Sequence, residues 1–250
     1  MKALVLNSSP MMDKGNTAVI LSPFVEGMRE AGAEVELLYT RKLKIKPCQG
    51  EFNCWLKTPG HCFQRDDMSA LHPKLHAADI LVFATPVYTD GVPGSLKNLM
   101  DRMIPLVQPY FELRDNHIRH VRREGHKDGK LVLVSNCGFW EMDNFDPLLV
   151  HVKAFCRNAG RQFAGALLRP HGPALKGMLR MGAPVQDILE AARDAGHQVV
   201  HQDEISLQTL AIVSRELLPR DIYIQMTNQA FRDALAGLEP ARTSENRPYL

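Results

Sequence analysis

Apolar and polar residues follow a strand–helix–strand pattern along the first forty positions of the chain. Residues 2–7 form a short apolar run that ends in a cluster of turn-forming residues, as a buried parallel strand does. Apolar side chains in residues 21–28 recur three or four positions apart, which predicts a helix with one buried face. Residues 34–40 then alternate apolar with polar. The pattern predicts a βαβ unit.

Three further apolar runs predict strands at residues 79–85, 130–135 and 163–168. Residues 96–103 and 146–159 have the spacing of amphipathic helices and separate those strands. Because five strands alternate with helices, we expect an α/β fold in which a parallel sheet is covered on both faces.

Residues 41–68 interrupt the pattern with three cysteines, two prolines and two glycines, and we expect a loop insertion there. We assign the α/β domain, with this insertion, to residues 1–180. We assign residues 181–250 to a helical C-terminal extension, packed on the domain or on a partner subunit. Within it the spacing predicts helices at 185–200, 204–217 and 223–235.

Composition excludes several classes of partner. The 250 residues are 45% apolar and 23% charged, with a net charge of +2, which is too small to indicate nucleic acid or a membrane surface as the main partner. No apolar run approaches the roughly 18 to 20 residues that span a bilayer, and the N-terminal run is too short for a signal-peptide core. We expect a cytoplasmic protein, in which the five cysteines are thiols or ligands rather than disulfides.

The loop at residues 8–17 lies between the first predicted strand and the first helix. A helix N-terminus offers unpaired N–H groups and partial positive charge, so this loop could bind a phosphate. Ser9, Asn16 and Thr17 supply further donors, and Gly15 permits close backbone approach. The loop is neither a Walker A motif nor a Gly-x-Gly-x-x-Gly loop. A simple capped helix is the alternative.

Four motifs occur in the order and spacing of a known family. The chain resembles the NADPH-dependent FMN reductase superfamily, and within it the iron-sulfur flavoprotein branch. The motifs are Ser8-Ser9-Pro10…Gly15-Asn16-Thr17, Cys62…Asp66-Asp67-Met68, Ala84-Thr85-Pro86-Val87-Tyr88 and Leu96-Lys97…Asp101-Arg102.

The resemblance implies a flavodoxin-like three-layer sandwich with a five-stranded parallel sheet in the order 2-1-3-4-5, and FMN as cofactor. It places the FMN phosphate in the first loop and the isoalloxazine ring against two later loops. Many relatives carry an arginine where this chain has Met11, so Lys14 and backbone amides would meet the phosphate charge. The implied contacts are Ser9, Met11, Gly15, Asn16 and Thr17 for the phosphate, Pro86, Val87, Tyr88, Thr89, Asp90 and Gly91 for the ring, and Asn136 and Gly138 from the third loop.

Some aromatic residues near these loops have a second interpretation. Tyr88 could be a packing aromatic rather than a flavin contact. Phe139 and Trp140 could cover a core or an interface between subunits. A basic segment at 114–130 could attract the phosphates of NADPH, although a solvated loop is the commoner arrangement.

The cysteine segment departs from the iron-sulfur branch at one position. Cys48, Cys54 and Cys62 keep the branch's spacing, but Glu51 stands where the second cluster cysteine is expected. A [4Fe–4S] cluster normally requires four thiolates, and carboxylate is a harder ligand that suits iron poorly in such clusters. We therefore expect no cluster and no metal site. The alternatives are a cluster that survives on the three cysteines and, ranked behind it, a zinc site of three cysteines and Glu51.

We therefore interpret the chain as an FMN-dependent oxidoreductase that passes electrons from NAD(P)H through FMN to a small acceptor such as a quinone or a flavin. The alternative is a flavin-binding electron carrier or redox sensor without turnover. The cofactor performs the hydride chemistry, so we name no catalytic side chain. Relatives of this kind suggest a homodimer or homotetramer.

Overall fold

The computed structural model describes residues 1–237. Its contacts divide the chain into two units, of which the first is Met1–Arg215 and the second begins at Glu216. The predicted division at residue 180 stays a prediction, and the end of the predicted extension lies outside the described residues. Among residues 1–237, no helix combines the length and the apolar character needed to cross a bilayer.

A five-stranded parallel sheet forms the centre of the first unit. Its observed order is β2-β1-β3-β6-β7, and a separate antiparallel hairpin, β4–β5, interrupts the strand sequence. The predicted order 2-1-3-4-5 differs from this one because it did not include the hairpin. The strands are β1 Lys2–Asn7, β2 Glu34–Tyr39, β3 Ile80–Pro86, β4 Val107–Arg114, β5 His117–Arg122, β6 Lys130–Asn136 and β7 Gln162–Arg169.

Helices cover both faces of the sheet, which confirms the three-layer α/β class. Apolar residues of one sheet face, including Leu6 and Phe83, pack with α3, α4 and α5 in one buried cluster. The helix α1 contacts β2, β3 and β6, and α8 contacts β7. The helices are α1 Asn16–Glu30, α2 Asn53–Leu56, α3 Met68–Ala77, α4 Gly94–Asp101, α5 Asp146–Ala159, α6 Gly172–Arg180, α7 Gln186–His201, α8 Leu207–Ser214 and α9 Arg220–Ala236.

Two glycines allow α1 and α7 to pack in close contact. A Cβ on Gly27 would overlap the carbonyl oxygen of Arg193, and a Cβ on Gly196 would overlap that of Phe24. The two helix backbones therefore approach more closely than side chains would permit. This contact fixes α7, part of the predicted extension, against the first helix of the sheet domain.

The β4–β5 hairpin includes part of the basic segment at residues 114–130. The sequence analysis favoured a solvated loop for this segment. Arg114 pairs with His117 across a two-residue turn. Asp115 and Asn116 adopt φ values of 53° and 58°, as both central residues of a type I′ turn do. Basic side chains interrupt the apolar alternation of these strands, so the pattern did not reveal them.

A buried ion pair fastens the insertion at 41–68 to the end of α4. Arg102 Nη1 and Nη2 donate to the two carboxylate oxygens of Asp66 at 2.8 and 3.1 Å, and both side chains are buried. Arg102 Nη1 also donates to the carbonyl oxygen of Lys46 at 2.8 Å. Burial opposes ionisation of Asp66, but the hydrogen bonds from Arg102 and the backbone prevail and lower its pKa. The pair therefore joins both ends of the insertion to one arginine.

We expect Asp66→Asn to lower the free energy of unfolding by about 3 kcal/mol, because it leaves the buried Arg102 charge without a counter-charge. The matched control is Asp67→Asn, whose carboxylate accepts a hydrogen bond from the backbone of Lys44 and makes no ion pair within residues 1–237. Urea unfolding of both variants measures the difference. Equal stability of the two variants would contradict the role given to the pair.

Candidate functional site

The loops that follow β1, β3 and β6 lie at the same carboxyl edge of the sheet. The register aligns Asn7 with Ala84 and Pro86 with Asn136, so the three strands end at nearly the same level. Ser8 N donates to the Ala84 carbonyl at 2.8 Å, and Val87 N donates to the Asn136 carbonyl at 2.9 Å. The structure therefore brings all three sequence-predicted loops together.

Gly15 forms the base of the first loop. It is the N-cap of α1 and has no side chain to cover the N–H groups of the first helical turn. A Cβ at this position would overlap the Ser9 hydroxyl, so the hydroxyl lies directly over the glycine. Ser9 and Gly15 are buried, Asn16 is half-buried, and Met11 is 59% exposed. The arrangement is a cradle that a small anion fits.

Two candidate residues are paired with each other. Thr17 Oγ1 donates to Asn136 Oδ1 at 2.5 Å, and both residues are buried. The bond joins the start of α1 to the end of β6 across 119 residues of sequence. These two residues therefore hold the first and third loops together, in addition to any contact with a ligand.

The second loop contains a tight turn at Tyr88–Gly91. Tyr88 and Gly91 exchange backbone hydrogen bonds of 3.0 and 3.1 Å. Thr89 and Asp90 have φ values of 47° and 61°, which for the β-branched threonine is a strained conformation. Tyr88 is 50% exposed, so its ring is available to a ligand rather than packed in the core.

The third loop is closed by contacts from the end of β7. His171 N donates to the Phe139 carbonyl at 2.7 Å, and Gly172 N donates to the Cys137 carbonyl at 2.9 Å. Gly138 and Phe139 are exposed. The Trp140 ring is nearly parallel to the imidazole of His171, at 6.2 Å between centroids. Burial, reinforced by Arg169, lowers the pKa of His171 to about 4.

Two cationic residues at the first loop were missed by the sequence analysis. Arg41 Nη1 donates to the Pro10 carbonyl at 2.6 Å, and Lys176 Nζ donates to the Lys14 carbonyl. Arg41 follows β2 and Lys176 lies on α6 after β7, so both come from segments that leave the same sheet edge. They provide positive charge at the first loop, which has Met11 where the resemblance implies an arginine.

The cysteine segment forms a small pocket against the end of α4. Cys48, Glu51, Cys54 and Cys62 line it together with Arg102. Burial, reinforced by the nearby acidic groups, raises the pKa of Cys54. Three thiols and one carboxylate do not provide the four thiolates of a [4Fe–4S] cluster. Among the described residues, no group of three potential ligands is placed to hold a metal ion.

These features define a flavodoxin-like α/β protein with a ligand edge built from the loops after β1, β3 and β6. A model of the family described as NADPH-dependent FMN reductase matches residues 1–133. The match covers more than half of the 250 residues, and the chain belongs to this family. FMN is the cofactor that the family description names.

The chain is also similar to an iron-sulfur flavoprotein of Archaeoglobus fulgidus, with 33% identity over 129 residues that cover 52% of this chain and 62% of that one. An iron-sulfur flavoprotein of Methanosarcina thermophila is 30% identical over 115 residues, which cover 46% and 59% of the two chains. The chain thus spans about 60% of the length of these curated relatives.

Solved structures support the fold. An NAD(P)H:quinone oxidoreductase from Methanothermobacter marburgensis superposes with a TM-score of 0.59 at 21% identity, covering 81% of this chain and 98% of that one. An FMN-dependent NADH-azoreductase from Bacillus anthracis in complex with FMN gives a TM-score of 0.60 at 15% identity, covering 80% and 99%. At this identity the likeness concerns the fold alone.

Because of His171, we expect the stability of the folded chain to depend on pH. Because its pKa is about 4 in the folded state and near 6.5 when unfolded, the unfolded chain binds more protons between these values. The free energy of unfolding should therefore fall by about 2 kcal/mol from this group between pH 7.5 and pH 5.

The variant His171→Asn removes this titration, and asparagine tolerates the left-handed backbone at residue 171. Unfolding of the wild type, of this variant and of the exposed-site control His201→Asn is measured at both pH values. We expect a smaller fall for His171→Asn alone. An identical fall in all three proteins would show that His171 is not the source.

Proposed function

We propose that this chain is an NAD(P)H-dependent FMN oxidoreductase that passes electrons through bound FMN to a small acceptor such as a quinone or a flavin. The observation that carries the proposal is the convergence of three loops at one sheet edge, with a glycine cradle at one end and a strained, exposed turn at the other. In parallel α/β sheets this edge is the usual place for a nucleotide ligand.

The phosphate end of the proposed site is the loop before α1. The Ser9 hydroxyl and the first-turn N–H groups of α1 would donate hydrogen bonds, as helix N-termini do for phosphates. Arg41 and Lys176 are held at the loop through the carbonyls of Pro10 and Lys14. Their charges would offset the phosphate charge that Met11 cannot meet.

The ring end of the proposed site is the turn at Tyr88–Gly91. Its backbone groups would hydrogen-bond the edge of the flavin, and the side chains of Val87 and Tyr88 would pack against the ring. The strain at Thr89 supports this assignment, because unfavourable backbone conformations concentrate at functional sites. Gly138 in the third loop leaves room beside the ring, since a Cβ there would meet no atom within 4 Å.

Bound FMN would supply the redox chemistry itself, by taking a hydride from the nicotinamide and releasing electrons to the acceptor. The chain would hold the ring at the turn Tyr88–Gly91 and the third loop. Tyr88 and Phe139 are exposed at this edge, so aromatic surface is available beside the opening. No side chain of this edge is assigned as an acid or a base.

The names of the similar structures support a small acceptor, since they include a quinone oxidoreductase and an azoreductase. The proposal also includes a cytoplasmic location, which the cysteines support: all five are free thiols in the structure. We further propose a homodimer or homotetramer.

We expect Gly15→Ala to weaken FMN binding by at least about tenfold, because the new methyl group displaces the Ser9 hydroxyl from the cradle. The matched control is Gly177→Ala, where a Cβ meets no atom within 4 Å. Quenching of FMN fluorescence on titration with each protein measures the dissociation constants. Absence of FMN binding by the wild type would refute the proposal, and equal affinities would refute the cradle.

Turnover separates the oxidoreductase from an electron carrier. We expect the FMN-loaded protein to oxidise NADPH or NADH with benzoquinone as acceptor. Tyr88→Ala should lower kcat/KM by roughly tenfold, because the ring loses a packing contact, whereas Tyr110→Ala on the hairpin should not. The decrease in absorbance of the reduced nicotinamide is followed. FMN binding without nicotinamide oxidation would identify a carrier or sensor instead.

A further inference from the structure

A cavity of about 360 Å³ lies beneath the β4–β5 hairpin. Its walls include the C-terminal ends of α3 and α5, at Leu75 and Ala159, which lead directly into β3 and β7. The cavity is therefore at the amino edge of the sheet, whereas the three flavin loops are at the carboxyl edge. Strands of six to eight residues separate the two edges by roughly 20 Å.

The cavity has the size and the walls of a small-molecule site. Pockets for small ligands are about 300 to 1,000 Å³ and mostly apolar. Leu81, Met103 and Phe155 are among the apolar residues that line this one. Phe111 and Ile118 line it as well and are 70% and 67% exposed, so the cavity opens to solvent along the hairpin.

The ionisable side chains of the lining are all basic. No aspartate or glutamate is among the described residues that line the cavity. The lining residues that can carry a positive charge come from α3, from the hairpin and its following loop, and from the position before β7, namely His76, Arg119, His120, His126 and Arg161. Such a lining favours an anion over a cation or a neutral polar group.

Among these basic residues, Arg161 has a guanidinium that is held in place by backbone carbonyls. Its Nη1 donates to the Ala78 carbonyl at 3.1 Å and its Nη2 donates to the Leu75 carbonyl at 2.9 Å. Each terminal nitrogen of a guanidinium carries a second hydrogen, and Nε carries another. The group is thus held in place by backbone and keeps donors for a ligand.

Arg161 makes no ion pair within residues 1–237, whereas two nearby arginines of the hairpin do. Arg122 pairs with Asp128, and Arg114 pairs with Glu112 at 3.4 Å. Asp79, the carboxylate near Arg161, is itself bonded to Lys127 Nζ at 3.1 Å. Arg161 is half-buried, and this burial lowers its pKa. A partly buried cation of this kind is stabilised by a bound anion.

We propose that this cavity binds a small amphipathic carboxylate, with its apolar body between the sheet and the hairpin and its carboxylate on Arg161. The apolar walls recognise the body, and the guanidinium provides charge-assisted hydrogen bonds to the head group. The site is separate from the FMN edge, so one chain can hold both ligands at once.

The test uses the full chain saturated with FMN, so that the flavin edge is filled. Decanoate is titrated into the protein by calorimetry, and decan-1-ol serves as the uncharged counterpart. We expect one decanoate per chain, with decan-1-ol at least about tenfold weaker. Arg161→Gln should weaken decanoate by at least about tenfold and leave decan-1-ol nearly unchanged. The matched control Arg157→Gln, an exposed residue near the end of α5, should change neither.

A second variant tests the proposal even if Arg161→Gln does not fold. Ile118→Glu places a carboxylate at the exposed mouth, and we expect it to weaken decanoate more than decan-1-ol. The proposal would be overturned if decanoate did not bind or if decanoate and decan-1-ol bound equally well. It would also be overturned if Arg157→Gln weakened decanoate as much as Arg161→Gln does. Sedimentation of the protein with and without decanoate is a further check. If decanoate dissociated an oligomer, the hairpin surface would be an interface with a second copy of the chain, and the proposal would be overturned.

Discussion

Parallel hydrogen bonding among five strands is the constraint on which the other features depend. Because every strand of the sheet runs in one direction, each connection after a strand leaves from the same edge. The cradle at Gly15, the turn at Thr89 and the third loop at Gly138 lie at one edge for this reason. The same rule brings Arg41 and Lys176 to the first loop, from the segments after β2 and β7. The proposed FMN site is thus a consequence of sheet direction as much as of any single motif.

The two edges of the sheet differ in how they are built. The carboxyl edge consists of short loops held by backbone bonds and by the Thr17–Asn136 pair, which favours a fixed geometry for a cofactor. The amino edge is covered by the β4–β5 hairpin, whose exposed apolar residues enclose a cavity with Arg161 in its wall. The proposed FMN site and the proposed carboxylate site therefore lie at opposite edges of the sheet.

The sheet and the three loops could be predicted because long apolar runs and turn clusters identify parallel strands and their ends. The hairpin could not, since basic residues such as Arg119 and Arg122 interrupt the alternation that would mark its strands. The bond between Thr17 and Asn136 joins residues 119 positions apart, and one sequence carries no signal for it. Arg41 and Lys176 carried a usable signal: each follows a predicted strand at the ligand edge, although neither belongs to a motif.

The Arg102–Asp66 pair also determines where the cysteine segment is attached. Asp66 and Lys46, near the two ends of the insertion, are both bonded to Arg102, and Trp55 between them donates to the Val107 carbonyl. These bonds attach the segment to the end of α4 and the start of β4, and none of them reaches a strand of the parallel sheet. A substitution at residue 51 is therefore expected to change the ligands of one loop while the parallel sheet stays as it is.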